Sequence, residues 1–153
     1  METQSIPQMF FARAAGRGQR PAQLVKRGGT WQAISWQALS DSVRSIAQGL
    51  LTLGLQVGDR VGLLAQSRAE WVQCDLGIMA AAGITVPVYP SSTPEQVAYI
   101  LHNAEVTLAC VDTLTQLEKL VQVRSALPAL RHIVLMEGQP LQPDPYVISL
   151  QEL

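Results

Sequence analysis

The feature that most constrains this fold is an alternation, from about residue 61 onwards, between short apolar runs and helix-like segments. The apolar runs have the length of strands and cover residues 61–65, 84–88, 106–111 and 132–136. Each run stays apolar at consecutive positions, as expected of a strand that is covered on both faces. Between the runs, apolar residues recur at steps of three and four, which is typical of helices. The sequence therefore predicts an α/β fold with a mostly parallel sheet flanked by helices on both faces.

The region before this alternation predicts two helices separated by a β-hairpin. Residues 5–15 have the composition of a short helix, and Gly28 and Gly29 form a turn between two apolar stretches. A longer helix is expected from Ser35, and Gly54 occupies the position of a left-handed C-terminal cap. One face of that longer helix carries Leu39, Val43, Ile46, Leu50 and Leu53.

Two later helices have recognisable start signals. Ser67 and Glu70 are three residues apart, as in a capping box, and Thr93 and Gln96 repeat this spacing. Pro94 follows Thr93 at the first helical position, where its missing N–H group is harmless. The sequence therefore predicts helix starts near residues 67 and 93.

The length of 153 residues corresponds to one domain with a single core. After Gly138 the chain becomes rich in proline and resembles a linker. We therefore predict a folded unit over residues 1–138 and a linker over residues 139–153.

The charge balance excludes some classes of partner. Eleven basic side chains face twelve acidic ones, so the net charge of −1 gives no reason to expect nucleic-acid binding. The N-terminus lacks the pattern of a signal peptide, and no apolar stretch is long enough to predict a transmembrane segment. The expected location is the cytoplasm, with any membrane contact being peripheral. The three tryptophans are predicted as core or edge aromatics, at Trp31, Trp36 and Trp71.

No catalytic or metal-binding constellation is evident, so no catalytic, cofactor-binding or metal-ligating residue is predicted. Cys74 and Cys110 lie in apolar segments and are predicted as buried thiols, with a disulfide between them as the alternative. His102 and His132 lack a nucleophile at suggestive spacing. The acidic residues considered as a catalytic pair are separate in the sequence, at Asp41, Asp59 and Asp75.

The best place for a ligand is the carboxyl edge of the sheet, where open parallel sheets bind their ligands. Three segments end strands there: "QSR" after Ala65, "YPSST" after Val88 and "DT" after Val111. In the second segment a pocket lining is one interpretation. The other is that the hydroxyl groups cap a helix and the prolines stiffen a turn. The residues at issue are Tyr89, Ser91, Ser92 and Thr93.

The order of these segments resembles the N-terminal part of the AMP-forming acyl-CoA synthetases, and most of all the long-chain fatty acid–CoA ligase branch. The resemblance covers about residues 9–138. It rests on "LGLQVGDRV" at the end of a helix that follows an aromatic residue, on "SRAEW", and on "GITVPVYPSSTPEQVAYIL".

The resemblance implies a reaction in two steps. A fatty acid carboxylate attacks the α-phosphate of ATP to give an acyl-adenylate and pyrophosphate, and the thiol of coenzyme A then displaces AMP. ATP, Mg²⁺ and coenzyme A would serve the parent enzyme. This chain lacks the family's phosphate loop with its lysine, its adenine-binding and ribose-binding residues and its C-terminal catalytic lysine. The expectation is therefore an inactive fragment that ends in the linker before the phosphate loop.

Two alternatives remain open at this point. One is another adenylate-forming ligase, acting on fatty acids as an acyl-AMP ligase or on aryl acids. The other is a standalone, non-catalytic interaction module. Chain length of the substrate and oligomeric state do not follow from the sequence, but a fragment is expected to expose an apolar surface that favours self-association.

Overall fold

A computed structural model describes residues 4–140 and 142–153. Helices and strands follow one another in the order that the sequence predicts, with one additional strand near the end. The elements are α1 (Ile6–Arg17), β1 (Pro21–Arg27), β2 (Thr30–Ser35), α2 (Trp36–Thr52), β3 (Arg60–Leu64), α3 (Ala69–Ala80), β4 (Ile84–Val88), α4 (Pro94–Asn103), β5 (Leu108–Val111), α5 (Leu114–Val123), β6 (His132–Leu135) and β7 (Val147–Ser149).

The main sheet has five parallel strands in the order β4-β3-β5-β6-β7. The chain enters the sheet at β3, adds β4 on one side and then crosses to β5 on the other. Gly62 in β3 therefore lies opposite both Val86 and Ala109. The predicted α/β class with a parallel sheet is confirmed, and the direction of strand addition reverses between β3 and β5.

Helices cover both faces of this sheet, as the continuous apolar runs predict. On one face, α2 and α3 pack on strand residues such as Leu63 and Cys110. On the other face, α4 and α5 pack on the strand residues that come next in the sequence, such as Leu64 and Val111. Successive side chains of a strand point to opposite faces, so each strand contributes to both cores.

Helices α2 and α3 approach closely at Gly77. A Cβ atom placed there would lie 2.5 Å from Cγ2 of Ile46 and 3.5 Å from the Val43 carbonyl oxygen. Only a residue without a side chain allows this approach. Gly77 therefore fixes the spacing of the helix layer on this face of the sheet.

The N-terminal elements form a separate layer beside α2 and α3. Ser5 caps α1 in a capping box with Gln8, and Phe10 of α1 packs in a small core with Leu39 and Val43 of α2. Strands β1 and β2 pair antiparallel and join through Gly28 and Gly29, whose φ angles are +56° and +82°. The predicted hairpin and its glycine turn are confirmed, because this turn needs positive φ at both positions.

The structure corrects one of the two predicted capping boxes and confirms the other. Helix α3 begins at Ala69 with Arg68 as its N-terminal cap residue, and no side chain caps it, so the predicted Ser67–Glu70 capping box is wrong. The carboxylate of Glu70 instead accepts a hydrogen bond from Arg68 at 2.7 Å. The capping box of Thr93 and Gln96 is confirmed, with Pro94 in the first turn.

Strand β7 lies inside the segment predicted as a linker. Its backbone pairs with β6, with Val134 opposite Ile148. Leu150 and Leu153 then pack against the core that α2 and α3 cover. This part of the segment is therefore docked on the sheet, while the proposed domain boundary near residue 138 stays a prediction.

Candidate functional site

The carboxyl edge of the sheet is where the strand order reverses, between β3 and β5. Loops leave this edge after β3, β4, β5 and β6. Crevices at such a reversal point are the usual ligand sites of open α/β sheets. The side chains that organise these loops are therefore the candidate functional residues of this chain.

Asp112 stands directly after β5 at this reversal point and is 2% exposed. Its Oδ2 atom accepts a hydrogen bond of 2.8 Å from the backbone N–H group of Gln66. Within the described part of the chain, its Oδ1 atom has no hydrogen-bond partner. Asp112 thus ties the loop after β3 to the loop after β5 and keeps one buried acceptor free.

Side chains of helix α5 hold the turn after β4 in place. The ammonium group of Lys119 donates to the carbonyl oxygens of Pro90 at 2.6 Å and Ser92 at 2.9 Å. The side-chain amide of Gln116 donates to the same Pro90 carbonyl at 3.3 Å. Lys119 and Gln116 are three residues apart and so share a face of α5, where together they fix the path of this turn.

The residues predicted as a possible pocket lining divide between two roles. Tyr89 is 82% exposed and points away from the packed edge, whereas Thr93 is used as the cap of α4. Ser92 borders a shallow hollow of about 420 Å³ on α4 that also includes Tyr99. The capping interpretation is therefore confirmed for Thr93, and the pocket interpretation of the other three residues stays a prediction.

A cluster of ion pairs joins the N-terminal layer to the same edge. Glu70 accepts from Arg68 at 2.7 Å and from Arg27 of the hairpin at 3.3 Å. Arg68 also reaches Glu137, which follows β6, at 2.9 Å. These residues border an open groove of about 1160 Å³ between β1 and the start of α3.

The pKa values in this cluster are shifted in the directions that favour charge. Burial opposes ionisation of Glu70, but the hydrogen bond from Arg68 and the positive charges of Arg68 and Arg27 keep its pKa below the ordinary value. The hydrogen bond to Glu70 raises the pKa of Arg68, against the cost of burial. Glu70 and Arg68 are therefore both charged at neutral pH, and neither is a neutral acid or base.

The two cysteines lie in the core and not at the site. Cys74 and Cys110 are both fully buried, as predicted, and both are free thiols. A contact with the Cys110 thiol and burial raise the pKa of Cys74. Cys74 is therefore a poor nucleophile, and Cys110 is enclosed in the same apolar core, so neither residue is a candidate for catalysis.

The remaining residues considered from the sequence stay apart. His102 bonds to the Ala126 carbonyl, Asp59 pairs with Arg131 at the opposite edge of the sheet, and Asp41 bonds to Gln37 on α2. Among residues 4–140 and 142–153, no three histidine, cysteine or carboxylate side chains are arranged to hold a metal ion. Within the same residues, no helix is both long and apolar enough to cross a membrane.

Sequence reasoning placed Asp112 at this edge, in the segment "DT", without giving it a role, and it missed Gln116 and Lys119. Asp112 carried a signal, because it ends an apolar run at the predicted carboxyl edge. Gln116 and Lys119 carried none, since their partners lie 26 to 29 residues earlier in the chain.

Comparison with known proteins gives consistent matches over most of the chain. The family model described as AMP-binding enzyme matches residues 10–150. The long-chain-fatty-acid–CoA ligase ACSBG1 of Bos taurus is 33% identical over 149 residues, which is 97% of this chain and 20% of that protein. The long-chain-fatty-acid–CoA ligase FadD15 of Mycobacterium tuberculosis is 32% identical over 110 residues, which is 72% of this chain and 18% of that protein.

A solved structure extends the comparison to three dimensions. The anthranilate CoA ligase AuaEII in complex with anthranoyl-AMP superposes with a TM-score of 0.75 at 25% identity. The match covers 85% of this chain and 24% of that one. This chain thus spans about a fifth of the length of the curated relatives it matches, and about a quarter of this solved structure.

Proposed function

Since this chain belongs to the AMP-binding enzyme family, we propose that it is the N-terminal part of an ATP-dependent fatty acid–CoA ligase. The observation that carries the proposal is the 33% identity to a long-chain-fatty-acid–CoA ligase over 149 residues. The reaction of the whole protein would form an acyl-adenylate from a fatty acid and ATP. Coenzyme A would then displace AMP to give the thioester.

The role of this chain in that reaction is structural. It supplies a rigid carboxyl edge at which Asp112 joins two loops and Lys119 braces a third. The rest of the protein would place its own nucleotide-binding residues against such an edge. Asp112 itself is buried beneath this edge, where it serves to join the two loops.

The residues present do not by themselves fit ATP or Mg²⁺. The sequence has two lysines, and neither lies in a glycine-rich phosphate loop. Lys26 belongs to the hairpin, and Lys119 is engaged by two backbone carbonyl groups. ATP, Mg²⁺ and coenzyme A are therefore proposed for the whole protein only, and no step of the reaction is assigned to a residue of this chain.

The test compares the 153-residue chain with the full-length protein that a longer reading of the gene would define. We expect the full-length protein to exchange pyrophosphate into ATP when a long-chain fatty acid is present, and the 153-residue chain to give no exchange above background. Exchange by the short chain would contradict its proposed inactivity. Failure of the full-length protein with every carboxylic acid tried would contradict the ligase assignment.

The similarity to an anthranilate CoA ligase supports a second candidate, a ligase for aryl acids. A substrate panel on the full-length protein separates the two, because the acid that gives the highest kcat/KM identifies the pocket. Preference for acids of long aliphatic chain supports the first proposal. Preference for benzoate-type acids supports the second, and acyl-adenylate release without thioester formation identifies an acyl-AMP ligase.

A further inference from the structure

Residues 149–153 form a turn that has the hydrogen bonds of a helix start. The carboxylate of Glu152 accepts from the backbone N–H group of Ser149 at 3.1 Å and from its hydroxyl group at 2.8 Å. The Leu153 amide donates to the Ser149 carbonyl at 3.2 Å, which is the first backbone bond of an α-helix capped by Ser149. Serine with glutamate three residues later has the spacing of a capping box. We call residues 149–153 the final turn.

The hydrogen bonds of β7 show why the chain turns there and does not continue as a strand. The Tyr146 carbonyl and the Leu150 amide both bond to β6. Val147 and Ser149 alternate with them, so their N–H groups point towards the open side of β7. The Val147 N–H group donates to a carbonyl of the preceding turn, and that of Ser149 donates to Glu152. Neither of these two donors is left for a further strand at this edge.

The final turn is seated on α2 at Gly49. Leu153 packs against the core that α2 covers, and a Cβ atom at Gly49 would overlap its side chain and lie 2.5 Å from its carbonyl oxygen. The backbone of the final turn therefore approaches α2 as closely as only a glycine allows. Beside this seat lies a groove of about 500 Å³, and exposed residues of α2 form one of its walls: Ser45, Gln48 and Thr52.

We propose that the final turn starts a helix which, in the whole protein, continues past Leu153 and lies in this groove along α2. The inference rests on the proposed function, since this chain corresponds to only 20% of the ligase ACSBG1 of Bos taurus. A single helical turn is unstable in water and needs tertiary contacts, which α2 supplies at Gly49. Leu150 and Leu153 both face the core, so the apolar face of the helix would continue from them at steps of three and four.

A separate protein is a poorer occupant of this groove. The second wall of the groove is the final turn itself, so a continuing helix is already held at one end. An independent partner would lose its translational and rotational freedom on binding, whereas the continuing helix is covalently attached. The α2 wall offers a partner only small or polar side chains, namely Ser45, Gln48 and Thr52.

Hydrogen exchange in the 153-residue chain tests the seat at Gly49. Gly49→Ala is expected to accelerate exchange of the Leu150 amide at least about tenfold relative to amides in the centre of the sheet. The matched control is Gly16→Ala, because Gly16 lies in α1 and an added Cβ atom there meets nothing within 4 Å. Unchanged exchange at Leu150 in Gly49→Ala would overturn the proposal, because the final turn would then have no seat on α2.

A second pair of variants tests the helix start without altering α2, and it decides the matter if Gly49→Ala does not fold. Glu152→Ala removes the acceptor of the Ser149 amide, whose exchange is expected to become at least about tenfold faster. Glu152→Gln keeps an acceptor oxygen at the same position and is expected to give a smaller acceleration. Equal exchange of the Ser149 amide in all three chains would contradict the proposed helix start.

Hydrogen exchange in the full-length protein tests the helix itself. We expect protected amides from Leu153 through the residues that follow it, with loss of this protection in Gly49→Ala and no loss in Gly16→Ala. Following residues that exchange freely, or that keep their protection in Gly49→Ala, would overturn the proposal. This readout does not depend on catalysis. If pyrophosphate exchange is absent but the protection is found, the proposed function is wrong and this inference stands; a gene that ends at Leu153 would contradict both.

Discussion

The five-stranded sheet and the two-stranded hairpin use the same kinds of residue with opposite results. Leu63 in β3 has no exposed surface, whereas Leu24 in β1 is 63% exposed. The sheet is covered by helices on both faces, so its central strands are buried at every position except Arg60 of β3 and His132 of β6, which are half-buried. The hairpin is tied to α3 by Gln23 and Arg27, and its Leu24 and Trp31 side chains stay more than half exposed. Apolar residues in the sheet therefore stabilise the fold, while Leu24 and Trp31 remain available for contact.

The same substitution in the two regions tests this difference most strongly. Leu63→Ala is expected to lower the free energy of unfolding by about 2–5 kcal/mol, because it removes buried contacts and leaves a cavity. Leu24→Ala is its matched control and is expected to change the stability by less than about 0.5 kcal/mol. Urea denaturation of both variants measures the two values. Similar losses in the two variants would show that Leu24 is packed and not free.

The sequence predicts the sheet better than its ends for a physical reason. A strand that is covered on both faces must be apolar at each position, and a helix beside it must carry apolar residues at steps of three and four. Both patterns are visible within a short stretch of sequence. Strand β7 has only three residues among prolines and turns, and its partner β6 decides its conformation. No local pattern reports such a partner, and β7 was therefore missed.

The candidate site illustrates the same limit at the level of side chains. Thr93 was predicted as a cap because capping is a contact within four residues. Lys119 braces the turn after β4 because α5 lies beside that turn. Neither the sequence of α5 nor that of β4 predicts this arrangement. The false capping box at Ser67 shows the opposite error, because Glu70 has the right spacing but finds arginines as stronger partners.

Lys119→Met extends the comparison from the buried sheet to its carboxyl edge. The variant keeps the aliphatic part of the side chain but removes two hydrogen bonds from a charged donor. We expect a loss of about 1–2 kcal/mol, towards the low end for such bonds because Lys119 is only half-buried. The exposed neighbour Glu118→Gln is the control, with a change under about 0.5 kcal/mol.

Amide hydrogen exchange shows which part of the protein Lys119→Met destabilises. The Ser92 amide donates to the Tyr89 carbonyl within the braced turn, so its exchange is expected to become faster than the global loss of stability explains. The amide of Leu63, in the centre of the sheet, is expected to follow the global change. Equal acceleration at both positions would mean that Lys119 stabilises the whole fold and does not specifically hold the turn.

The smallest effect concerns Glu70, which joins the hairpin to the body of the protein. Its pKa is lowered in the folded state, so its stabilising contribution is present above its ordinary pKa and is lost as the pH falls through the lower folded-state value. Glu70→Gln is expected to cost about 0.5–1 kcal/mol at pH 7, and the difference from the unmodified chain should shrink as the pH falls below the ordinary glutamate pKa and disappear below the lower folded-state value. Thermal unfolding at a series of pH values measures this difference.

Arg27→Met removes only the hairpin partner and should cost less, since Arg68 still pairs with Glu70. A larger cost for Arg27→Met than for Glu70→Gln would show that the hairpin contributes to stability through contacts other than this ion pair, and the contrast between sheet and hairpin would then need revision.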